Sequence, residues 1–319
     1  MESKSTNYRY YIIGAIVVVA LALLTILIVK IASNDIPEID VDNNSHNTQN
    51  DTIQTYSSTD VTSSNVTTGK IWTETNNNMT TMIARPADNY MFGYWNVTVN
   101  STTKKYSAMD TIVVPSETAS NYTAVFISNS KILHITTLAQ FSSNATNASY
   151  DMFVLDNDID ATGVTYSTIS DFYQKIFDGN GHVIRNLSAS PGGNENFGGL
   201  LKGATDSVVK NLTLDNCSIV DTGSTTVKKL CGIVGHTIRS IISNCVFRGT
   251  VKTTKSDCSV GAFIGAASGN TATSCIENCT YQGAAIGGAV AGMMIGSNPS
   301  MACILRNNKS EGSAQGPIS

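Results

Sequence analysis

Charge is scarce in this chain: 14% of its 319 residues are acidic or basic, and the net charge is −4. Neutralising a phosphate backbone takes a dense basic face, so nucleic acid is not an expected partner. Proline is scarcer still, at six residues, too few for a polyproline or collagen-like rod. Cysteine is absent from the first 216 residues, and the seven that follow (Cys217, Cys231, Cys245, Cys258, Cys275, Cys279, Cys303) form no Cys-x-x-Cys pair. That argues against a zinc ribbon or a thioredoxin-like redox site. The four histidines, His46, His134, His182 and His236, lack metal-ligand spacing, and no metal or other cofactor is expected. What fills the sequence instead is uncharged polarity and, towards the C-terminus, a pair of short phrases that recur.

Residues 1–9 form a short polar tail in which Lys4 and Arg9 outweigh Glu2. Residues 10–30 then supply about 20 mostly apolar positions, enough to cross a hydrocarbon core of about 30 Å as a helix. Lipid offers no competing hydrogen-bond partners, so a spanning segment must be helical despite its many β-branched side chains. Tyr8, Tyr10 and Tyr11 stand where an interfacial belt belongs, and Asp35, Glu38, Asp40 and Asp42 follow the span. The positive-inside bias puts the tail in the cytoplasm and the chain after about residue 34 outside, at the plasma membrane or cell surface. The span reads as an uncleaved signal anchor. Ile31-Ala32-Ser33 leaves a cleaved signal peptide as the alternative, although the apolar run exceeds the usual h-region of about 7–15 residues.

Residues 31–70 are rich in Asn, Asp, Ser and Thr with few large apolar side chains. They cannot offset their ordering entropy and read as a disordered stalk. Sequons at Asn43, Asn50 and Asn65, then at Asn78, Asn96, Asn100, Asn121, Asn144 and Asn147, make N-glycosylation the expected modification outside the cell.

Aromatic residues return in residues 71–128, with alternations around Met91-Phe92-Gly93-Tyr94-Trp95 and Tyr122-Thr123-Ala124-Val125-Phe126 that read as half-buried strands of a small β-domain. The order of these strands, with Ile112-Val113-Val114-Pro115 between them, resembles the small extracellular β-module of bacterial surface proteins of the Listeria-Bacteroides type. That resemblance implies a spacer or adhesive role.

Residues 129–319 carry the repeats. One phrase is a short strand ending in Asn, at Asn186, Asn211, Asn244, Asn278 and Asn307. The other is a Gly-bracketed apolar pair, at Gly199-Leu200-Leu201-Lys202-Gly203, Cys231-Gly232-Ile233-Val234-Gly235, Gly261-Ala262-Phe263-Ile264-Gly265 and Gly292-Met293-Met294-Ile295-Gly296. The Asn phrase returns every 25 to 34 residues, a period that signals stacked units. Runs of four to six residues between Gly, Asn and Ser are too short for helices, and stacking them predicts an all-β chain whose main body is a parallel β-solenoid. Like then sits on like about 4.8 Å apart, and the five Asn residues form a corner ladder. Gly249, Gly283 and Gly312, at equal offsets after three of them, are expected to take positive φ. An Asn buried in the ladder cannot accept an oligosaccharide, so carbohydrate is expected on residues 43–147. Together with Asn157-Asp158-Ile159-Asp160 and Phe177-Asp178-Gly179-Asn180-Gly181-His182, these phrases resemble the GLUG-motif proteins of bacterial and protist cell surfaces.

Cys217, Cys245 and Cys279 read as inward apolar filler. An exported domain leaves bridging open for Cys231, Cys258, Cys275 and Cys303, and an odd total leaves at least one thiol free or intermolecular. Asp156, Asp158 and Asp160 could share one face of a strand, but Ala161 and Ser167 stand where a calcium loop needs Gly and Glu. Asp178, Asp206, Asp215 and Asp221 do not follow the repeat and read as turn carboxylates. The whole points to a membrane-anchored, adhesin-like or scaffolding protein that contacts extracellular glycans or proteins and is not an enzyme. The alternative is a carbohydrate-active β-helix enzyme, a polysaccharide lyase or hydrolase, which would need two carboxylates on one face. The last repeat, Cys303 to Gly312, is followed by no polar cap, so either self-association through that end or a continuation of the solenoid beyond this sequence is expected.

Overall fold

The computed structural model describes residues 68–164, 166, 168–169, 172–190, 197–221, 228–269 and 273–316. The anchor at 10–30, the stalk up to residue 67 and the sequons Asn43, Asn50 and Asn65 lie outside the described residues. Among the described residues no helix is long and apolar enough to cross a membrane.

The chain enters through six antiparallel strands: β1 (Gly69–Asn76), β2 (Met79–Pro86), β3 (Tyr90–Val99), β4 (Thr102–Ser107), β5 (Thr111–Pro115) and β6 (Tyr122–Ser128). They form two three-stranded sheets, ordered β1-β2-β5 and β4-β3-β6. Asn77-Asn78 and Asn100-Ser101 close the β1–β2 and β3–β4 hairpins at φ between 50° and 64°, the paired left-handed geometry that suits strand twist. Met82, Trp95, Val97 and Val114 fill the space between the sheets, and the fully buried Trp95 donates from Nε1 to the Met109 carbonyl at 2.9 Å.

From Ile132 onward the chain winds as a parallel β-solenoid of about four turns. In the coil from 197 to 221, Phe197–Gly198 belongs to sheet I and Leu201–Thr205 to sheet II, while Val208–Lys210 and Thr213–Asp221 belong to sheets III and IV. Each strand pairs in parallel with its counterpart in the next coil, for example Val208 with Ile241 and Ile241 with Cys275. Inward side chains such as Leu201, Val209, Leu214, Phe247, Phe263 and Tyr281 make one continuous core. The first coil is covered by helix α1 (Leu138–Asn144), which opens on a Thr137–Gln140 capping box. Its Phe141 stacks on Phe177 at 4.3 Å and 17° and meets Phe153 and Phe172 edge-on.

The Gly-bracketed phrases are the sharp bends between sheets I and II. A Cβ on Gly261 would stand 2.0 Å from the Ile264 carbonyl oxygen, so the reversal admits no side chain there. Cys231 occupies the matching position one coil earlier, and its thiol lies 2.5 Å from where a Cβ of Gly199 would be.

Sheet III is not an open face. Ala108, Met91, Tyr94 and Ile127 of the first six strands and their connections pack on its outer side against Met152, Val154, Ile176, Val208 and Ile241. Its strands are therefore apolar on both sides, as sheets covered on two faces require. The last residues of these strands, Asp178, Lys210, Ser243, Glu277 and Arg306, stand in register as a column under the small β-unit. Lys210 Nζ donates to the carbonyls of Phe92 and Gly93, at 2.5 and 3.1 Å, where a bulge in β3 turns them outward. Glu277 Oε1 accepts from Ser107 Oγ and the Ala108 amide at 2.9 and 2.7 Å. Arg306 donates to the Tyr106 carbonyl and lies over that ring at 4.5 Å.

The corner ladder differs from its sequence reading in membership and in place. Asn244 donates to Asn211 at 2.9 Å and Asn278 to Asn244 at 3.1 Å, while Asn211 donates to Asp178 at 2.9 Å. Asn186 belongs to another column, between Asp160 at 3.0 Å and Asn216 at 2.7 Å. The reason is that two different corners use the same left-handed Asn, at φ 58° for Asn186 and 50–53° for Asn211, Asn244, Asn278 and Asn307. The ladder is also a surface feature, with Asn244, Asn278 and Asn307 exposed, because the next residue (Leu212, Cys245, Cys279) is the one that turns inward. Burial therefore does not shield these Asn residues from a glycosyltransferase. Gly249, Gly283 and Gly312 are not among the positive-φ glycines. They form a column in which a Cβ would meet the carbonyl oxygens of Cys217, Gly249 and Gly283 at 2.3, 2.2 and 2.5 Å, so close backbone approach is what demands glycine.

Candidate ligand groove

The solenoid's outer surfaces differ in what they offer. Sheet III is occupied. Sheet IV carries an ion ladder: Arg185 bonds Asp158 at 2.8 Å, Asp215 lies 3.9 Å from both Arg185 and Arg248, and Arg248 donates to Gln282 at 2.7 Å. These five side chains already have partners in the fold.

Sheet II is different. Its outer side, near the bend with sheet I, holds a groove of about 430 Å³ lined by Phe172, Tyr173, Phe197, Lys202, Gly203, Thr205 and His236. Parallel register assembles it: Tyr173 pairs with Thr205, and Gly203 with His236. Phe172 points into the core and is fully buried, so its neighbour Tyr173 points out and is 52% exposed. Phe197 stacks on the His236 imidazole at 5.0 Å and 22°. His236 Nε2 and Ser268 Oγ are 2.8 Å apart, and burial, then the nearby Lys229 charge, hold the imidazole below its ordinary pKa. Both effects favour the neutral ring. Ser268 and a neutral His236 make a nucleophile–base contact, but the ring's hydrogen bond goes to Ser268 and its stacking contact to Phe197, and no carboxylate among the described residues orients it.

The carboxylates singled out in the sequence lie elsewhere. Asp178 is buried 3.5 Å from Lys210, and Asp206 is gripped by Arg239 through two bonds of 2.8 and 2.7 Å. Asp215 faces Arg185 and Arg248 on sheet IV, and Asp221, also buried, accepts from Thr253 Oγ1 at 2.9 Å. None of them lines the groove. Asp156, Asp158 and Asp160 are likewise taken up, by His134, by Val183 with Arg185, and by Thr162 with Asn186. Hydrogen bonds from Thr162 and Asn186 bring the Asp160 carboxyl down to about 2. Among the described residues no group of three His, Cys, Asp or Glu side chains could hold a metal ion.

No protein-family model and no curated protein matches the sequence. Solved structures resemble its backbone. A candidate immunoglobulin A1 protease from Bacteroides ovatus aligns over 59% of this chain and 78% of its own at 19% identity, with a TM-score of 0.40. A structure described as an IgA1 protease aligns over 78% of this chain and 20% of its own at 13% identity, with a TM-score of 0.34. At such identities no residue role passes from those proteins to this chain.

Of the sequon residues, Asn78 and Asn100 sit at the tips of the two hairpins and Asn147 in the turn after α1, all exposed. Asn96, Asn121 and Asn144 are half-buried, and Asn144 Nδ2 donates to the Gln140 carbonyl at 2.9 Å. The seven cysteines are all buried and free, including the four for which the sequence leaves bridging open. The groove residues themselves escape a reading of the sequence. Tyr173, Phe197 and His236 come one from each of three successive coils, and the only local signal is an aromatic or imidazole ring in an outward slot beside a Gly-bracketed bend.

Proposed function

We propose that this chain is a membrane-anchored, non-catalytic surface protein whose solenoid displays the sheet II groove to an extracellular glycan or protein. The observation that carries the reading is the groove: an exposed ring at Tyr173 and a stacked Phe197–His236 pair, open to solvent, with no carboxylate among the described residues of its lining. Aromatic faces suit the C–H faces of sugars as well as apolar side chains, whereas glycoside cleavage calls for a pair of carboxylates about 5–9.5 Å apart. The resemblances to GLUG-motif and Listeria-Bacteroides-type surface proteins, and the apolar stretch at 10–30, support display outside the cell. Exposed Val290, Met293 and Leu305 on the last coil support pairing of two copies through that end.

The hydrolase reading is favoured by one contact, Ser268 with neutral His236. A glycan array probed with the full-length chain and with Tyr173→Ala tests the binding reading, which predicts a set of ligands lost in the variant. Covalent labelling of Ser268 by a fluorophosphonate, or turnover abolished by Ser268→Ala, would instead establish catalysis.

A further inference from the structure

We infer that two copies of this chain join edge to edge through β1, antiparallel about a two-fold axis at Trp72, so that their β1-β2-β5 sheets run on as one.

Among the described residues β1 is an end strand of its sheet, and its eight residues pair with β2 without a bulge. A long, regular edge is a template for another strand. Across this ladder the Ala87 amide donates to the Thr68 carbonyl at 3.0 Å. Alternate residues onward from Thr68, namely Lys70, Trp72 and Glu74, therefore turn their backbone groups to β2, while Ile71 and Thr73 turn theirs to the open side. The sheet also lies away from the solenoid, since β3 and β6 supply Met91, Tyr94 and Ile127 to sheet III and β1, β2 and β5 form the other layer.

The side chains select the partner. Ile71 packs on the core of the small unit, so Lys70, Trp72 and Glu74 share the outer face; all three are exposed, Trp72 at 64%. A second β1 laid antiparallel with Trp72 on Trp72 puts each Lys70 opposite the other copy's Glu74, an opposite-charge pair made twice by symmetry. The same register sets the open amides and carbonyls of Ile71 against those of Thr73 as hydrogen-bonded pairs. It leaves the two indoles in the closer, non-hydrogen-bonded position, where cross-strand aromatic contact is favourable. Within one copy Lys70 stands opposite Arg85, and Glu74 opposite Thr81. Like charges directly opposite one another repel, so a carboxylate arriving on the far side of Lys70 offsets a repulsion that the single chain carries.

The test is sedimentation of the full-length chain in detergent micelles, with Leu305→Arg as a second background that closes the solenoid end to another copy. In both backgrounds a dimer is expected at micromolar concentration, as suits a small contact. Lys70→Glu and Glu74→Lys, each of which sets like charges across the axis, should weaken it about tenfold. The double swap restores the opposite pairs and should return it to within about threefold of the parent, and rising salt should narrow all these differences. A monomer throughout overturns the inference, as does a dimer indifferent to both single reversals. Weakening that the double swap fails to repair overturns the register and the inference with it. A dimer lost through Leu305→Arg alone assigns pairing to the solenoid end, overturns the β1 contact and leaves the display of the groove untouched.

Discussion

Asn244 turns a corner at φ 50° and at the same time donates to Asn211 and accepts from Asn278. The two roles can be separated. Alanine in a left-handed conformation costs about 1–2 kcal/mol, and the two side-chain bonds contribute less than a buried pair would, because the residue is exposed. Asn244→Ala is expected to lower stability in urea unfolding by about 2–3 kcal/mol, and Asn244→Gly, which relieves the backbone but not the ladder, by about 1 kcal/mol. Equal losses in the two variants would mean that the ladder and not the backbone angle holds the corner. The thiols behave oppositely, as filler. Burial pushes Cys217, Cys258 and Cys275 up to about 11 and Cys303 to about 12, and raises Cys231 and Cys279 as well. Since the thiolate is the reactive form, a disulfide reagent at pH 8 should find no fast-reacting group in the native chain and seven after denaturation. One rapid native equivalent would show that a coil opens.

Among the elements, α1 is the one that cannot stand alone. Seven residues are too few for a stable isolated helix, so its hold on the first coil comes from Leu138 and from Phe141 among three other phenyl rings. Phe141→Ala should destabilise the chain by about 3–5 kcal/mol and raise amide exchange first in Met152–Leu155 and Ile176–Asp178; uniform exchange across all coils would show instead that the end opens with the whole. The solenoid is legible in the sequence because its signals are local: β-branched pairs, a left-handed Asn, glycine at each bend. Local chemistry is also why Asn186 reads as a rung of the wrong column, since Val183-Ile184-Arg185-Asn186 has the same corner residue as Val208-Val209-Lys210-Asn211 but sits on sheet IV. The covering of sheet III leaves a sequence signal of its own: Ile176-Phe177, Val208-Val209 and Ile241-Ile242 put apolar side chains on both faces, where a solvated sheet would alternate. The groove leaves almost none, because register between distant coils, not neighbouring residues, brings its rings together.

For the molecule as a whole, the question is whether the first six strands are a spacer or half of one folding unit. The column Asp178, Lys210, Ser243, Glu277 and Arg306 alternates in sign around a neutral serine, and Lys210 is buried with its ammonium among the Asp178 carboxylate and two β3 carbonyls. Burial lowers the Lys210 pKa, and Asp178 opposes that shift. Lys210→Met would leave a buried carboxylate without its counter-ion and two carbonyls without a donor, a loss of about 3–5 kcal/mol. Asp178→Asn added to that variant removes the stranded charge and should restore some of the loss. Both tryptophans, Trp72 and Trp95, belong to the small unit, so fluorescence follows that unit while far-ultraviolet dichroism is dominated by the solenoid. If the polar column joins the two into one cooperative structure, the wild-type curves coincide and Lys210→Met shifts them together to lower denaturant. A fluorescence transition that precedes the dichroism in the wild type would mean that the small unit lets go of sheet III first, and that a fourth surface of the solenoid becomes available when it does.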